Sequence, residues 1–109
     1  MIGAGLVFTA GSVGLDPATG QLVEGGAAIQ AKRAIANLGA ILDAAGSSLD
    51  RVLKTTVFLV DLADYPAVNE VYRDAFAEPY PARTTVAVLG LPLGAQVEIE
   101  CVALTAEAS

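Results

Sequence analysis

The spacing of hydrophobic residues predicts an amphipathic helix over about residues 26 to 45. Polar residues such as Gln30 and Lys32 occupy the positions between the hydrophobic ones. Gly46 is expected to end the helix, because glycine tolerates a left-handed backbone conformation. The positions assigned to the inner face of this helix are Ile29, Ile35, Leu38, Ile41 and Leu42.

A second stripe of hydrophobic residues predicts another amphipathic helix further along the chain. The helix begins near Asp61 or Asp64, since either aspartate can cap a helix, and it ends before Pro79. Its inward positions are Val68, Val71, Tyr72, Ala75 and Phe76.

Runs of β-branched and aromatic residues predict four strands, over residues 6 to 9, 52 to 60, 84 to 89 and 96 to 104. The second strand has hydrophobic residues on both alternating faces toward its end, so we expect it to be central and covered on both sides. The order strand, helix, strand, helix, strand, strand predicts an α+β sandwich: a mixed β-sheet with two helices on one face.

The composition predicts one domain, residues 1 to 109, with hydrophobic surface left over after folding. Hydrophobic residues make up 54 % of the chain and charged residues only 17 %, against about 25 % in an ordinary soluble domain. Self-association is the simplest way to cover such a surface.

The hydrophobic stretches fall far short of the roughly 20 residues that a membrane span needs, and no signal sequence is recognisable at Met1. Cys101 is the single cysteine and cannot form an internal disulfide. These features predict a cytoplasmic protein with no membrane association.

The charged residues disfavour nucleic acid as a partner. The net charge is −6 and the isoelectric point is near 4.3, whereas binding through phosphates draws on an excess of lysine and arginine. The chain has no histidine, so we expect neither a metal site nor a histidine-dependent catalytic triad. Carboxylates, tyrosines, hydroxyls, backbone groups and Arg83 remain for any chemistry.

Arg83 is the last basic residue of the chain and lies in the motif Pro81-Ala82-Arg83-Thr84-Thr85-Val86. A guanidinium presents its donors in a planar fork that matches a carboxylate or phosphate, so a position between a proline turn and a strand suits anion capture. The alternative is a surface salt bridge with one of the twelve acidic residues.

The last strand carries an unusual polar face. Alternation places Val97, Ile99, Cys101 and Ala103 toward the helices. Gln96, Glu98, Glu100, Val102 and Leu104 lie on the other face, which suits contact with another subunit. We expect Glu98 and Arg83 to share a cleft between subunits, where the carboxylate is either a general acid or base or a structural ion-pair partner. The alternative is that both glutamates face solvent.

Four further residues call for a choice between a structural and a functional interpretation. Gly11 is either a turn residue or a point where a ligand approaches the backbone closely. Asn69 makes either a local hydrogen bond or a ligand contact, and Tyr72, three residues later, suits core packing. Cys101 is expected to be a core residue rather than a nucleophile, because no histidine is present to activate it.

Several motifs, in this order and spacing, resemble the RidA/YjgF family of reactive-intermediate deaminases over about residues 6 to 104. They are Leu6-Val7-Phe8-Thr9-Ala10-Gly11, Asp16-Pro17-Ala18-Thr19-Gly20, Ala45-Gly46-Ser47-Ser48-Leu49-Asp50, Lys54-Thr55-Thr56-Val57-Phe58-Leu59, Val68-Asn69-Glu70-Val71-Tyr72, Pro81-Ala82-Arg83 and Val97-Glu98-Ile99-Glu100.

The resemblance implies a chorismate-mutase-like fold, assembled as a homotrimer with the sheets inward and ligand sites between subunits. It implies a 2-iminobutanoate/2-iminopropanoate deaminase-like hydrolase that uses no cofactor. Such an enzyme converts imines and enamines, among them 2-aminoacrylate, 2-iminopropionate and 2-iminobutyrate, to 2-keto acids and ammonia. In this interpretation Arg83 binds the substrate carboxylate, Glu98 positions or activates water, and Gly11, Asn69 and Thr85 line the pocket.

Three features differ from most members of the family. The chain starts close to the first recognisable strand, without a further N-terminal stretch whose tyrosine closes the pocket. Ala10 stands where many active members have serine, and Thr85 where several have cysteine.

Two other functions therefore remain as alternatives. One is a non-catalytic, small-carboxylate-binding or regulatory trimer, and the other is an endoribonuclease or translation inhibitor, as reported for some relatives.

Overall fold

A computed structural model of the chain describes residues 1–105; the four remaining residues of the predicted domain lie outside the described part. The helices are α1 (Ala27–Ala44) and α2 (Tyr65–Ala75). The strands are β1 (Ile2–Gly3), β2 (Leu6–Phe8), β3 (Ser12–Val13), β4 (Val52–Leu59), β5 (Ala82–Ala87) and β6 (Val97–Leu104). Short 3₁₀ turns occupy Leu49–Arg51, Leu62–Asp64 and Pro92–Gly94.

The predicted α+β order is confirmed, with two additional two-residue strands near the N-terminus. The predicted strand over residues 84 to 89 is displaced by two residues: β5 begins at Ala82 and ends at Ala87. Arg83 therefore lies inside a strand rather than in the turn before it. None of the helices within residues 1–105 has the length and hydrophobicity needed to cross a membrane.

All strands join one mixed sheet in the order β1-β2-β6-β4-β5, and β3 also pairs with β6. Strand β4 pairs in parallel with β5 and antiparallel with β6. Thr55 on β4 lies opposite both Arg83 on β5 and Cys101 on β6, while Phe58 lies opposite both Val86 and Glu98. This register fixes which side chains share a face of the sheet.

One face of the sheet forms the core with the helices. The β6 residues Val97, Ile99 and Ala103 are fully buried, and Cys101 nearly so, which confirms the predicted inner face. On α1 the fully buried residues include Leu38, Leu42 and two alanines, Ala31 and Ala34. Such small side chains let a helix approach a sheet closely.

The predicted inner face of α1 is correct for Ile35, Leu38 and Leu42 and wrong for Ile29 and Ile41, which are about half exposed. Gln30, expected outside, is buried instead. Its side chain accepts a hydrogen bond from the backbone N–H of Gln96 at 2.9 Å and donates one to the Gln96 side chain at 3.3 Å. These bonds satisfy the polar groups of Gln30, so it replaces a hydrophobic residue on the inner face.

The helix ends follow local rules. Gly46 has φ +79°, and the N–H groups of Gly46 and Ser47 bond to the carbonyls of Asp43 and Leu42. This is a Schellman arrangement, and it confirms the predicted end of α1. Asp61 accepts a hydrogen bond from the N–H of Ala63 and caps the 3₁₀ turn before α2.

The opposite face of the sheet is covered by neither helix. Among its residues, Phe8 is 47 % exposed and Val86 is 38 % exposed, and Glu98, Glu100 and Val102 are partly exposed. A sheet face of mixed hydrophobic and charged residues is the surface that the composition led us to expect. We call it the open face.

Leu38→Ala is expected to lower the free energy of unfolding by about 2–5 kcal/mol, because it leaves a cavity at a fully buried position. Ile41→Ala, on the same helix but half exposed, is the matched control and should cost less than about 1 kcal/mol. Urea denaturation at one fixed protein concentration measures both values. Equal losses would mean that Ile41 is packed as deeply as Leu38.

Candidate functional site

Arg83 lies on the edge strand β5, beside helix α2, and two side chains of α2 hold its guanidinium group. Nη1 donates a hydrogen bond to Oδ1 of Asn69 at 2.6 Å, and Nη2 donates one to the hydroxyl oxygen of Tyr65 at 2.7 Å. The two acceptors are four residues apart, so they lie on the same side of the helix one turn from each other. They fix the orientation of the guanidinium plane.

Tyrosine rings complete this arrangement. The guanidinium carbon of Arg83 lies 4.6 Å from the ring centroid of Tyr72 and 5.4 Å from that of Tyr65. Both distances are within the range of a cation–π interaction. Tyr65, Asn69 and Tyr72 thus form one stripe along α2, and we call these three residues with Arg83 the arginine cradle.

The cradle contains no negative charge. Within residues 1–105, Arg83 is bonded to an amide and a phenol, and no carboxylate forms an ion pair with it. The alternative of a surface salt bridge is therefore not supported in the described part of the chain. A cation held by neutral partners keeps its attraction for an anion, so the cradle can bind a carboxylate or phosphate.

A cavity of about 330 Å³ opens beside the cradle. Its walls are Asn69, Tyr72, Arg73, Tyr80, Pro81 and Arg83. This volume is at the small end of the range for ligand sites. A larger cavity, of about 540 Å³, lies around residues 49 to 53 and 76 to 81. Arg51 in this larger cavity already donates to the carbonyls of Leu104 and Thr105. Arg83, beside the smaller cavity, is therefore the better candidate for binding an anion.

Tyr72 links the cradle to the core. Its hydroxyl lies 2.8 Å from that of Thr55, which is fully buried, and its ring packs against Phe76 at 4.6 Å between centroids. Burial raises the pKa of Tyr72, although the Thr55 hydrogen bond and the Arg83 charge act in the opposite direction. Tyr72 is therefore a neutral wall of the site rather than an acid or base near pH 7.

Glu98 lies close to Gly11 on the open face. A Cβ atom added at Gly11 would overlap with Oε1 of Glu98, so the missing side chain gives the carboxylate room against the backbone. The group that approaches the backbone at Gly11 is thus the Glu98 side chain, and the approach of a ligand to Gly11 stays a prediction. Glu98 pairs with Val13 of β3 and with Phe58 of β4.

Within one chain, Arg83 and Glu98 lie on opposite faces of the sheet. Arg83 shares the face of Thr55, toward α2, whereas Glu98 shares the face of Phe58, the open face. Strand β4 also lies between the strands that carry them, and their partners on β4, Thr55 and Phe58, are three residues apart. The shared cleft that we expected is therefore not formed by a single copy of the chain.

Thr85 follows Arg83 by two residues and lies on the same face of β5. Among residues 1–105, β5 pairs only with β4, so every second residue of β5 directs its backbone N–H and C=O away from the sheet. The structure thus brings Arg83 and Asn69 together at the cavity, and Gly11 and Glu98 together on the open face. Thr85 is not a wall of that cavity.

Cys101 has the expected core position. It is buried, and burial raises the pKa of its thiol despite a hydrogen bond from the hydroxyl of Thr9. No group of three or more potential metal-ligating side chains occurs within residues 1–105.

Sequence analysis missed Tyr65 as a site residue. Its spacing of four from Asn69 and seven from Tyr72 was a usable signal, because residues at these spacings lie on one side of a helix. The signal was incomplete, since nothing in the sequence states that this side of α2 meets Arg83.

Comparison with known proteins places these residues in a described family. The model of the family Ribonuc_L-PSP, described as endoribonuclease L-PSP, matches residues 1–105. A human protein named 2-iminobutanoate/2-iminopropanoate deaminase is 47 % identical over 98 residues, covering 90 % of this chain and 72 % of the human protein. The RutC family protein UK114 of Drosophila melanogaster is 52 % identical over 99 residues, covering 91 % and 72 %.

Solved structures agree with these relatives. The crystal structure of RidA from an Antarctic Psychrobacter superposes with a TM-score of 0.92 at 42 % identity, covering 95 % of this chain and 84 % of that one. The structure of E. coli TdcF with bound serine gives a TM-score of 0.85 at 36 % identity, covering 93 % and 81 %.

Tyr72→Phe is expected to reduce the loss of stability at high pH. Because burial raises the pKa of Tyr72 above its ordinary value of about 10, the unfolded chain releases this proton before the folded chain does. The contribution of Tyr72 is thus complete below about pH 10 and is lost as the pH rises through the folded-state pKa.

Free energies of unfolding between about pH 8 and pH 11 measure this effect. At neutral pH the variant should be less stable by about 1–3 kcal/mol, because the buried hydroxyl of Thr55 loses its partner. Cys101, whose pKa is also raised, is present in both proteins. Parallel curves for the two proteins would contradict the prediction.

Proposed function

The chain belongs to the RidA/YjgF family, and we propose that it hydrolyses imines and enamines of small 2-keto acids to the 2-keto acid and ammonia. The observation that carries this proposal is the arginine cradle, where a guanidinium without a carboxylate partner borders a small cavity. The relatives named as deaminases of 2-iminobutanoate and 2-iminopropanoate make imines of short 2-keto acids the substrate class.

Arg83 provides the anchor for the substrate carboxylate, which every member of this substrate class carries. Its fork binds two carboxylate oxygens, and the cradle fixes the plane of that fork before the substrate arrives. The backbone of β5 near Thr85 offers further donors along the free edge of the sheet. A substrate held in this way presents its C=N group at a fixed distance from Arg83.

The reaction needs few catalytic groups from the protein, because the carbon of a protonated imine is already electrophilic. Water adds to this carbon, and the resulting carbinolamine releases ammonia as the C=O bond of the 2-keto acid forms. One group has to take a proton from water and return one to the leaving nitrogen. We assign this role to Glu98, whose carboxylate lies against the backbone at Gly11.

Arg83 and Glu98 lie on opposite faces of one sheet, so their cooperation requires two copies of the chain. We propose a homotrimer in which the open faces pack together and each cleft combines Arg83 of one copy with Glu98 of its neighbour. Two properties support this assembly: the partly exposed hydrophobic residues of the open face, and the low charged content of 17 %.

The cytoplasm is the proposed location, since it suits a chain with a single, buried cysteine. A nuclease function, suggested by the description of the family model, is less well supported. The net charge of −6 and the absence of histidine from the sequence disfavour phosphate binding and proton transfer during RNA cleavage.

Glu98→Gln is expected to lower turnover of freshly generated 2-iminobutyrate by about a hundredfold or more, because the amide cannot accept and return the proton. Ammonia release measures turnover. Binding of 2-oxobutyrate should be retained, since Arg83 is intact. The matched control is Glu100→Gln, two residues away on the same face of β6, which should cost much less.

Equal losses in these two variants would indicate a general electrostatic effect, and full activity of Glu98→Gln would remove Glu98 from the mechanism. A wild-type protein that binds 2-oxobutyrate without releasing ammonia from any imine would favour a non-catalytic, carboxylate-binding function. Such a function needs Arg83 but not Glu98.

Arg83→Lys should greatly weaken deamination, because a point charge cannot reproduce the bidentate fork.

Co-expression of Arg83→Lys with Glu98→Gln tests whether the site spans two copies. In a cyclic trimer with random mixing, about a quarter of the clefts would combine an intact Arg83 with an intact Glu98, so activity should return to about that level. Sedimentation should report three subunits.

A stable monomer at micromolar concentration, or no recovery of activity in mixed assemblies of the expected size, would exclude a site shared between copies. Each variant purified alone provides the baseline for this comparison.

A further inference from the structure

We propose that the hydroxyl group of Tyr65 is a substrate-binding group, which donates a hydrogen bond to the carboxylate that Arg83 anchors. The inference rests on the proposed function and adds to it a third donor at the carboxylate subsite. Tyr65 lies in the first turn of α2, next to the 3₁₀ turn that Asp61 caps.

The direction of the existing hydrogen bond carries the argument. Nη2 of Arg83 donates to the Tyr65 oxygen at 2.7 Å, so the phenol is the acceptor in this contact. The hydroxyl proton of Tyr65 must then point away from the guanidinium. No acceptor for that proton occurs among the hydrogen bonds of residues 1–105. The proton is thus available to a ligand.

The position of this free donor suits an anion. It lies one hydrogen bond away from the positive charge of Arg83, and the Tyr65 side chain is 36 % exposed. Tyr65 is not itself a wall of the cavity, but its oxygen lies 2.7 Å from Nη2, so a carboxylate oxygen bound at Nη2 comes within reach of the phenol. Accepting a hydrogen bond from a cation also polarises the O–H group, which strengthens the bond that it donates.

Asn69 serves the guanidinium differently. Its Oδ1 accepts from Nη1, and the N–H donors of its amide lie on a different atom, Nδ2. Tyr80, the other exposed tyrosine, lines the cavity but makes no hydrogen bond with Arg83 in the described structure. Tyr65 therefore contacts the cation and offers a donor through the same oxygen atom, whereas Asn69 uses two different atoms and Tyr80 makes no hydrogen bond with Arg83.

The test is Tyr65→Phe, which removes the hydroxyl and keeps the ring beside Arg83. Calorimetry compares the affinities of wild type and variant for 2-oxobutyrate and for its neutral analogue 2-oxobutanamide. We expect the affinity for 2-oxobutyrate to fall about tenfold, as for loss of a hydrogen bond to a charged group, and that for the amide to change less than about twofold.

Kinetics give a second readout with 2-iminobutyrate. The KM should rise by a factor similar to the loss in 2-oxobutyrate affinity, while kcat stays within about twofold, because the hydroxyl contacts the carboxylate and not the reacting carbon.

Unchanged affinity of Tyr65→Phe for 2-oxobutyrate would overturn the inference, and so would equal losses for the acid and the amide. If the wild type deaminates imines normally while either result is found, the inference about Tyr65 fails and the proposed function stands. If the wild type neither binds 2-oxobutyrate nor deaminates an imine, both fail together.

Discussion

The guanidinium of Arg83 is held between the edge strand β5 and helix α2 by neutral groups, and the candidate chemistry depends on this contact. Carboxylates are frequent partners of arginine, yet here an amide oxygen and a phenol oxygen accept its hydrogen bonds. Those acceptors satisfy part of the donor set without cancelling the charge. The positive charge therefore keeps its attraction for an anion, as the proposed function requires.

This contact depends in turn on how α2 packs on the sheet. The buried residues Val68, Tyr72 and Phe76 place α2, and the contact between the hydroxyls of Tyr72 and Thr55 fixes its distance from β4. Tyr72 takes part in both the core and the arginine cradle, since its hydroxyl lies in the core and its ring lies against Arg83. The stability of the core and the geometry of the anion site are therefore coupled through one side chain.

The two faces of the sheet differ in what covers them. One face is completed by the helices of the same chain, and the other keeps hydrophobic residues such as Phe8 and Val86 partly exposed beside Glu98. Because side chains alternate along a strand, groups three positions apart on neighbouring strands lie on opposite faces. In the proposed homotrimer, a site that uses both Arg83 and Glu98 is assembled from two copies across the open face.

The sequence by itself determined the order of elements, the end of α1 at Gly46 and the inner face of β6, because local periodicity and glycine conformation decide these features. It also indicated Arg83 and Glu98 as site residues, which stays a prediction. Only the tertiary structure decided that Ile29 and Ile41 are exposed while Gln30 is buried, since these depend on how closely α1 approaches the sheet. It alone brought Tyr65 to Arg83 and set Arg83 and Glu98 on opposite faces, because strand pairing joins residues distant in the chain.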